Sequence, residues 1–93
     1  MRFKRTTEIF DLKNRVIILT GSAGLLGSQY AQILSDAGAK LVLVDTNVKE
    51  NLKLAASLKK KYKINPVCEN VDITSKNEVR KLAIRTKKKF GRI

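Results

Sequence analysis

Three short apolar runs alternate with three stretches of helical spacing, and this alternation leaves the chain few folds to choose from. Val16–Thr20 is a continuous apolar run rich in β-branched residues, the pattern of a strand buried on both faces. In Ser28–Ala37, the residues Tyr30, Ile33, Leu34 and Ala37 fall at helical spacing, and Gly38 stands where a helix closes in a residue of positive φ. Lys40–Asp45 is a second apolar run and ends in an acid. Asn47, with Glu50 three residues on, predicts a capped helix start. Leu54, Ala55, Leu58 and Tyr62 then share one side of that helix, with lysines on the other. Pro66–Val71 reads as the third strand, its proline at the first position, where no ladder donor is needed. Ser75 and Glu78 repeat the capping pattern. Val79, Leu82, Ala83, Thr86 and Phe90 form a helix stripe that Gly91 stops.

Strands joined through helices of this length pair in parallel by right-handed crossovers. The expectation is therefore an α/β fold: a three-stranded parallel sheet in the order 3-2-1 with flanking helices. One such unit accounts for residues 9–93, leaving residues 1–8 as an N-terminal arm.

Composition narrows the partners. Cys68 is the single cysteine and there is no histidine, so neither an internal disulfide nor a zinc site is expected, and a reduced, cytoplasmic setting fits. No apolar run is long enough to span a membrane, and the basic start lacks the apolar core of a signal peptide. The net charge of +12 is uneven, with thirteen Lys/Arg against three Asp/Glu in residues 51–93. A nucleic-acid contact would use such charge. The lysines fall on helical polar faces, however, and no aromatic residues interleave with them for base stacking, so solvated helix faces are the simpler reading.

Between the first strand and the first helix the chain runs Thr20-Gly21-Ser22-Ala23-Gly24-Leu25-Leu26-Gly27. A glycine-rich turn at a strand-to-helix junction suits a dinucleotide. Gly21 allows the tight exit, Gly24 lets a pyrophosphate approach the backbone, and Gly27 lets the helix pack closely. The helix N-terminus then presents free N–H groups to phosphate. The candidate residues in this turn are Gly21, Ser22, Gly24, Leu25, Leu26 and Gly27. Asp45 ends the second apolar run near the spacing expected of an acid that takes the adenosine ribose hydroxyls, and its charge disfavours a 2′-phosphate. NAD is thus expected over NADP.

The stretch Phe10-Asp11-Leu12-Lys13-Asn14-Arg15-Val16-Ile17-Ile18-Leu19-Thr20-Gly21 resembles the opening of a short-chain dehydrogenase/reductase. Ala37-Gly38-Ala39-Lys40-Leu41-Val42-Leu43-Val44-Asp45, Val71-Asp72-Ile73-Thr74 and the closing Phe90-Gly91-Arg92-Ile93 are also similar to that family. The resemblance covers nearly the whole chain. It implies a partial Rossmann fold, NAD as cofactor, Asp72 meeting the adenine amino group and Ile73 packing on the adenine ring. It also implies a parent reaction in which hydride passes between NAD and an alcohol or carbonyl substrate. In the family's classical members a glycine stands where this chain has Leu25. The spacing of Gly21, Gly24 and Gly27 is closer to extended members such as sugar-nucleotide epimerases and dehydratases.

The family's catalytic Tyr with Lys four residues on is not found. Tyr30 is followed at that distance by Leu34 and Tyr62 by Pro66, and both tyrosines read as core-facing. No catalytic residue is expected in this chain, which reads as a truncated cofactor-binding part, inactive alone. The rivals are a small basic nucleic-acid-binding module and a non-catalytic partner that associates through an exposed sheet edge.

Overall fold

The structure is a computed structural model describing residues 12–91. The arm expected at residues 1–8, the start of the family-like opening, and Arg92 and Ile93 lie outside the described residues.

The elements run β1 (Val16–Thr20), α1 (Leu25–Asp36), β2 (Lys40–Val44), α2 (Val48–Tyr62), β3 (Val67–Glu69) and α3 (Lys76–Phe90). The sheet is parallel throughout, with β2 between β1 and β3, as the alternation predicts. Val16 sits opposite Lys40 and Thr20 opposite Val44; Val42 to Val44 lie opposite Val67 to Glu69.

Side chains alternate across a strand, so β2 feeds two cores. Val42 and Val44 join Val16, Val71 and Leu82 on the α3 side. Leu41 and Leu43 join Ala31, Ala39 and Leu58 beneath α1 and α2. All four are fully buried, which explains why β2 is apolar without alternation. Truncating Leu43 to alanine would cost about 3 kcal/mol, the usual penalty for a cavity at a packed site.

The helix ends follow local chemistry. The Asn47 side-chain oxygen accepts the Glu50 N–H at 3.2 Å, and the Ser75 hydroxyl oxygen accepts the Glu78 N–H at 3.3 Å. The reciprocal half of the second box is not formed. The Glu78 carboxylate accepts the Asp72 N–H at 3.4 Å, while the Ser75 N–H goes to the Asp72 carbonyl. Gly38 and Gly91 both take positive φ just past their helices.

Several boundaries differ from the sequence reading. α1 starts at Leu25 rather than Ser28, so part of the glycine turn is its first turn. Tyr30 and Ile33 are 53% and 49% exposed and do not face the core; the inward side of α1 carries Ala31, Leu34 and Ser35. Tyr62 does pack against the core, as expected. β3 is shorter than Pro66–Val71, although Val71 beyond its end is buried.

Candidate functional site

All three strands leave the sheet at one rim, so the loops after β1, β2 and β3 meet there. The first is the glycine turn. Gly21 has φ +66, a conformation in which a side chain is strained. Its carbonyl accepts the Gly24 N–H at 3.1 Å, closing the turn. A Cβ on Gly27 would run into that same carbonyl and lie 2.8 Å from the carbonyl carbon and 2.9 Å from the Ser22 Cα, so only glycine allows α1 this close to the turn. A Cβ on Gly24 would lie 3.3 Å from the Gly21 oxygen, tight but milder.

The amides of the turn divide into two sets. Ser22 N–H donates to the Val44 carbonyl at 3.3 Å, Ala23 N–H to the Asp45 carboxylate at 2.9 Å, and Gly24 N–H to Gly21. The first bond of α1 runs from Ser28 N–H to Gly24 O, and Gly24 provides no side-chain cap. The N–H groups of Leu25, Leu26 and Gly27 therefore have no acceptor on the helix and point out of its N-terminus. The Leu25 and Leu26 side chains are 79% and 63% exposed.

Asp45 follows β2. One carboxylate oxygen accepts Ala23 N–H, and the other accepts Asn47 N–H at 2.8 Å. The acid is thus fixed against the glycine turn, with lone pairs left on both oxygens. After β3, one carboxylate oxygen of Asp72 accepts both the Thr74 N–H, at 2.9 Å, and the Thr74 hydroxyl, at 2.6 Å. The bonds from the Thr74 hydroxyl and then its N–H hold the Asp72 carboxyl below the usual carboxylate range, since they favour the charged form. Gly21, Asp45, Asp72 and Ile73 line a single cleft of about 250 Å³, together with Val44, Thr46 and Val71.

Ser22 stands apart from the other candidates. Its side chain is fully buried and its hydroxyl donates to Asn51 Oδ1 at 2.6 Å, so it turns away from the cleft. Asn51 Nδ2 donates in turn to the Leu43 carbonyl at 2.9 Å. Sequence reading missed Asn51. Its signal was phase: Asn51 lies on the same helical face as Leu54, Ala55 and Leu58. The Cys68 thiol, whose pKa burial pushes up, contacts the Asn51 carbonyl at 3.6 Å and is kept protonated within this packing.

The family model for short chain dehydrogenases matches residues 15–93. The chain belongs to the short-chain dehydrogenases. It corresponds to the family's nicotinamide-dinucleotide-binding, Rossmann-type portion, and the family uses NAD or NADP. It is 33% identical to an NAD-dependent glycerol dehydrogenase of Listeria innocua, a match over the whole of this chain and 35% of the relative. A hydroxysteroid dehydrogenase from Escherichia coli superposes with a TM-score of 0.82 at 25% identity, covering 89% of this chain and 35% of that one. An NAD⁺-bound xylitol dehydrogenase has the same fold, with a TM-score of 0.79 at 24% identity, over 88% of this chain and 31% of that one. The chain spans about a third of the length of the curated relatives it matches. Among the described residues no helix is long and apolar enough to cross a membrane.

Proposed function

We propose that this short-chain dehydrogenase chain holds the adenosine-diphosphate half of NAD in the cleft at the strand rim, in preference to NADP. The observation that carries the reading is the pinning of the Asp45 carboxylate to Ala23 N–H, which joins a ribose-type acid to a phosphate-type turn in one rigid unit. The N–H groups of Leu25, Leu26 and Gly27, which have no acceptor among the described residues, receive the pyrophosphate, favoured by the helix dipole. No acid lies in the first turn of α1 to compete with it. The absence of a side chain on Gly27 lets α1 lie close to the turn, which carries these N–H groups to the rim of the cleft.

Asp45 accepts the ribose hydroxyls with its remaining lone pairs and repels a 2′-phosphate at the same position. The unshared oxygen of Asp72 accepts the adenine amino group, and the half-exposed Ile73 covers the ring. Bound here, the nicotinamide cofactor would accept or donate the hydride; this chain's residues bind and orient its adenosine end. The whole protein would exchange hydride between NAD and an alcohol or carbonyl substrate in the cytoplasm, with residues 9–93 as the binding domain behind the arm of residues 1–8. Among the described residues the outer edge of β1 pairs with no strand, which supports association through that edge as a further contact.

Calorimetric titration of the 93-residue chain with NAD and with NADP tests the reading. NAD is expected to bind the more tightly, and Asp45→Ala to bring the two affinities together. Equal affinities in the unmodified chain, or a ratio that Asp45→Ala leaves unchanged, would place Asp45 away from the ribose.

A further inference from the structure

We infer that Asn51 is the positioning residue of the phosphate turn: it touches no ligand, but it sets the orientation in which the turn presents its amides. The inference rests on the dinucleotide reading above and extends it to a residue buried behind the site.

Asn51 lies in the second turn of α2, and its side chain reaches back toward β1–α1. It and Ser22 are 2% and 0% exposed, so water cannot take over either side chain's bonds. Ser22 donates its hydroxyl hydrogen to Asn51 Oδ1 at 2.6 Å, and Asn51 Nδ2 donates to the Leu43 carbonyl at 2.9 Å. The second bond fixes which way round the amide sits. Turned over, Asn51 would set its oxygen against the Leu43 oxygen, two acceptors facing each other. The direction of the Ser22 hydroxyl follows from that, so the chain of bonds has one arrangement.

Ser22 directly follows Gly21, the residue of positive φ, whose φ and ψ aim the next peptide planes. With Gly21 and Gly24 free to take many conformations, the turn needs an outside restraint, and residues 22 and 23 provide it. Ser22 is held through its side chain by Asn51 and through its N–H by Val44, and Ala23 is held by Asp45. These anchors leave the N–H groups of Leu25, Leu26 and Gly27 for an anion. Of these anchors, the Ser22–Asn51 bond, sealed from solvent, is the one that ties the turn directly to α2.

NAD calorimetry and amide hydrogen exchange on the full chain test the assignment. Asn51→Leu is expected to weaken NAD binding by about tenfold, because it strands a buried hydroxyl and frees the turn. Exchange at the Ser22 and Gly24 amides should quicken in the same variant. The double variant Ser22→Ala with Asn51→Leu strands no hydroxyl and leaves only the Leu43 carbonyl without its side-chain donor, and replacing both members of a buried pair can restore stability. It is expected to regain most of the thermal midpoint that Asn51→Leu loses while its NAD affinity stays low.

Recovery of both midpoint and affinity would make Asn51 a filler of buried space and overturn the inference. So would unchanged NAD affinity in a folded Asn51→Leu. If Asn51→Leu does not fold, Ser22→Ala, the smaller change, carries the same two measurements. An unmodified chain that binds no NAD would remove the cofactor reading instead. Amide exchange at Ser22 and Gly24 would then still decide for or against Asn51.

Discussion

The Asp45 carboxylate and the Ala23 amide are 2.9 Å apart, so the acid after β2 and the turn after β1 are mechanically one piece. An acid placed only to meet a ribose would need no such contact. Here the same group shapes the turn and meets the solvent cleft, so its charge and its hydrogen-bonding capacity can be separated by substitution.

Asp45→Asn removes the charge and keeps one oxygen, so only one of the Ala23 and Asn47 N–H groups retains its acceptor. NADP affinity is expected to rise by about tenfold relative to NAD, with the thermal midpoint lowered less than in Asp45→Ala. Asp45→Ala loses both functions and should also lower the midpoint, by about 1 kcal/mol of stability. Paired calorimetry and thermal melts check both. An asparagine variant with an unchanged cofactor ratio would separate Asp45 from selectivity.

The three turn glycines differ in what a methyl group would meet, and their alanine variants should rank accordingly. Gly27→Ala drives a Cβ into the Gly21 carbonyl and should cost about 3 kcal/mol, enough to lift α1 off the turn and abolish NAD binding. Gly21→Ala meets open space but keeps φ +66, for about 1–2 kcal/mol. Gly24→Ala, at ordinary φ, should cost under about 1 kcal/mol. Denaturant melts of the three variants give the order directly, and a Gly27→Ala chain as stable as Gly24→Ala would contradict it.

Asp72 offers a pH signature. Its folded pKa is depressed, so its contribution is present above the unfolded carboxylate value and is lost as pH falls through the folded value. Thr74→Val removes the hydroxyl bond, the larger cause, and should raise the Asp72 midpoint toward that of a free aspartate. Carboxyl-carbon NMR titration measures the midpoint in each chain. An unmoved midpoint would mean that the Thr74 hydroxyl does not bond Asp72 in solution.

Ser35 is a buried misfit. Its hydroxyl lies on the inward face of α1 and has no hydrogen-bond partner among the described residues. Ser35→Ala removes an unsatisfied polar group and adds a better helix former, so it should stabilise by about 1 kcal/mol, or about 4–8 °C in Tm. A lower Tm would mean that the hydroxyl finds a partner in solution.

Much of this was legible because the local signals agree with the global fold. The run Leu41–Val44 could only be a strand covered on both faces, and Asn47 and Ser75 cap the helices their spacing announced. The start of α1 was hidden because Gly24 to Gly27 reads as turn by helix propensity. Contact with Gly21 overrides that preference, and it also sets the rotation of α1, which brings small Ala31 and Ser35 inward and leaves Tyr30 and Ile33 outside. Asp45 was legible from its place at the end of the second apolar run, whereas Asp72 was named through the family resemblance. The partner of Ser22 was not legible, since a polar residue in an apolar stripe announces burial but not what it bonds.

The parallel order of the sheet has a consequence for how such a site can be inherited. Every group assigned to the cofactor, from Gly21 to Ile73, comes from one unbroken stretch of chain, because each crossover returns the next strand's exit to the same rim. Recognition of the adenosine end can therefore pass between proteins as a cassette by a single exchange. Whatever follows it is then free to diverge toward new substrates without disturbing the coenzyme.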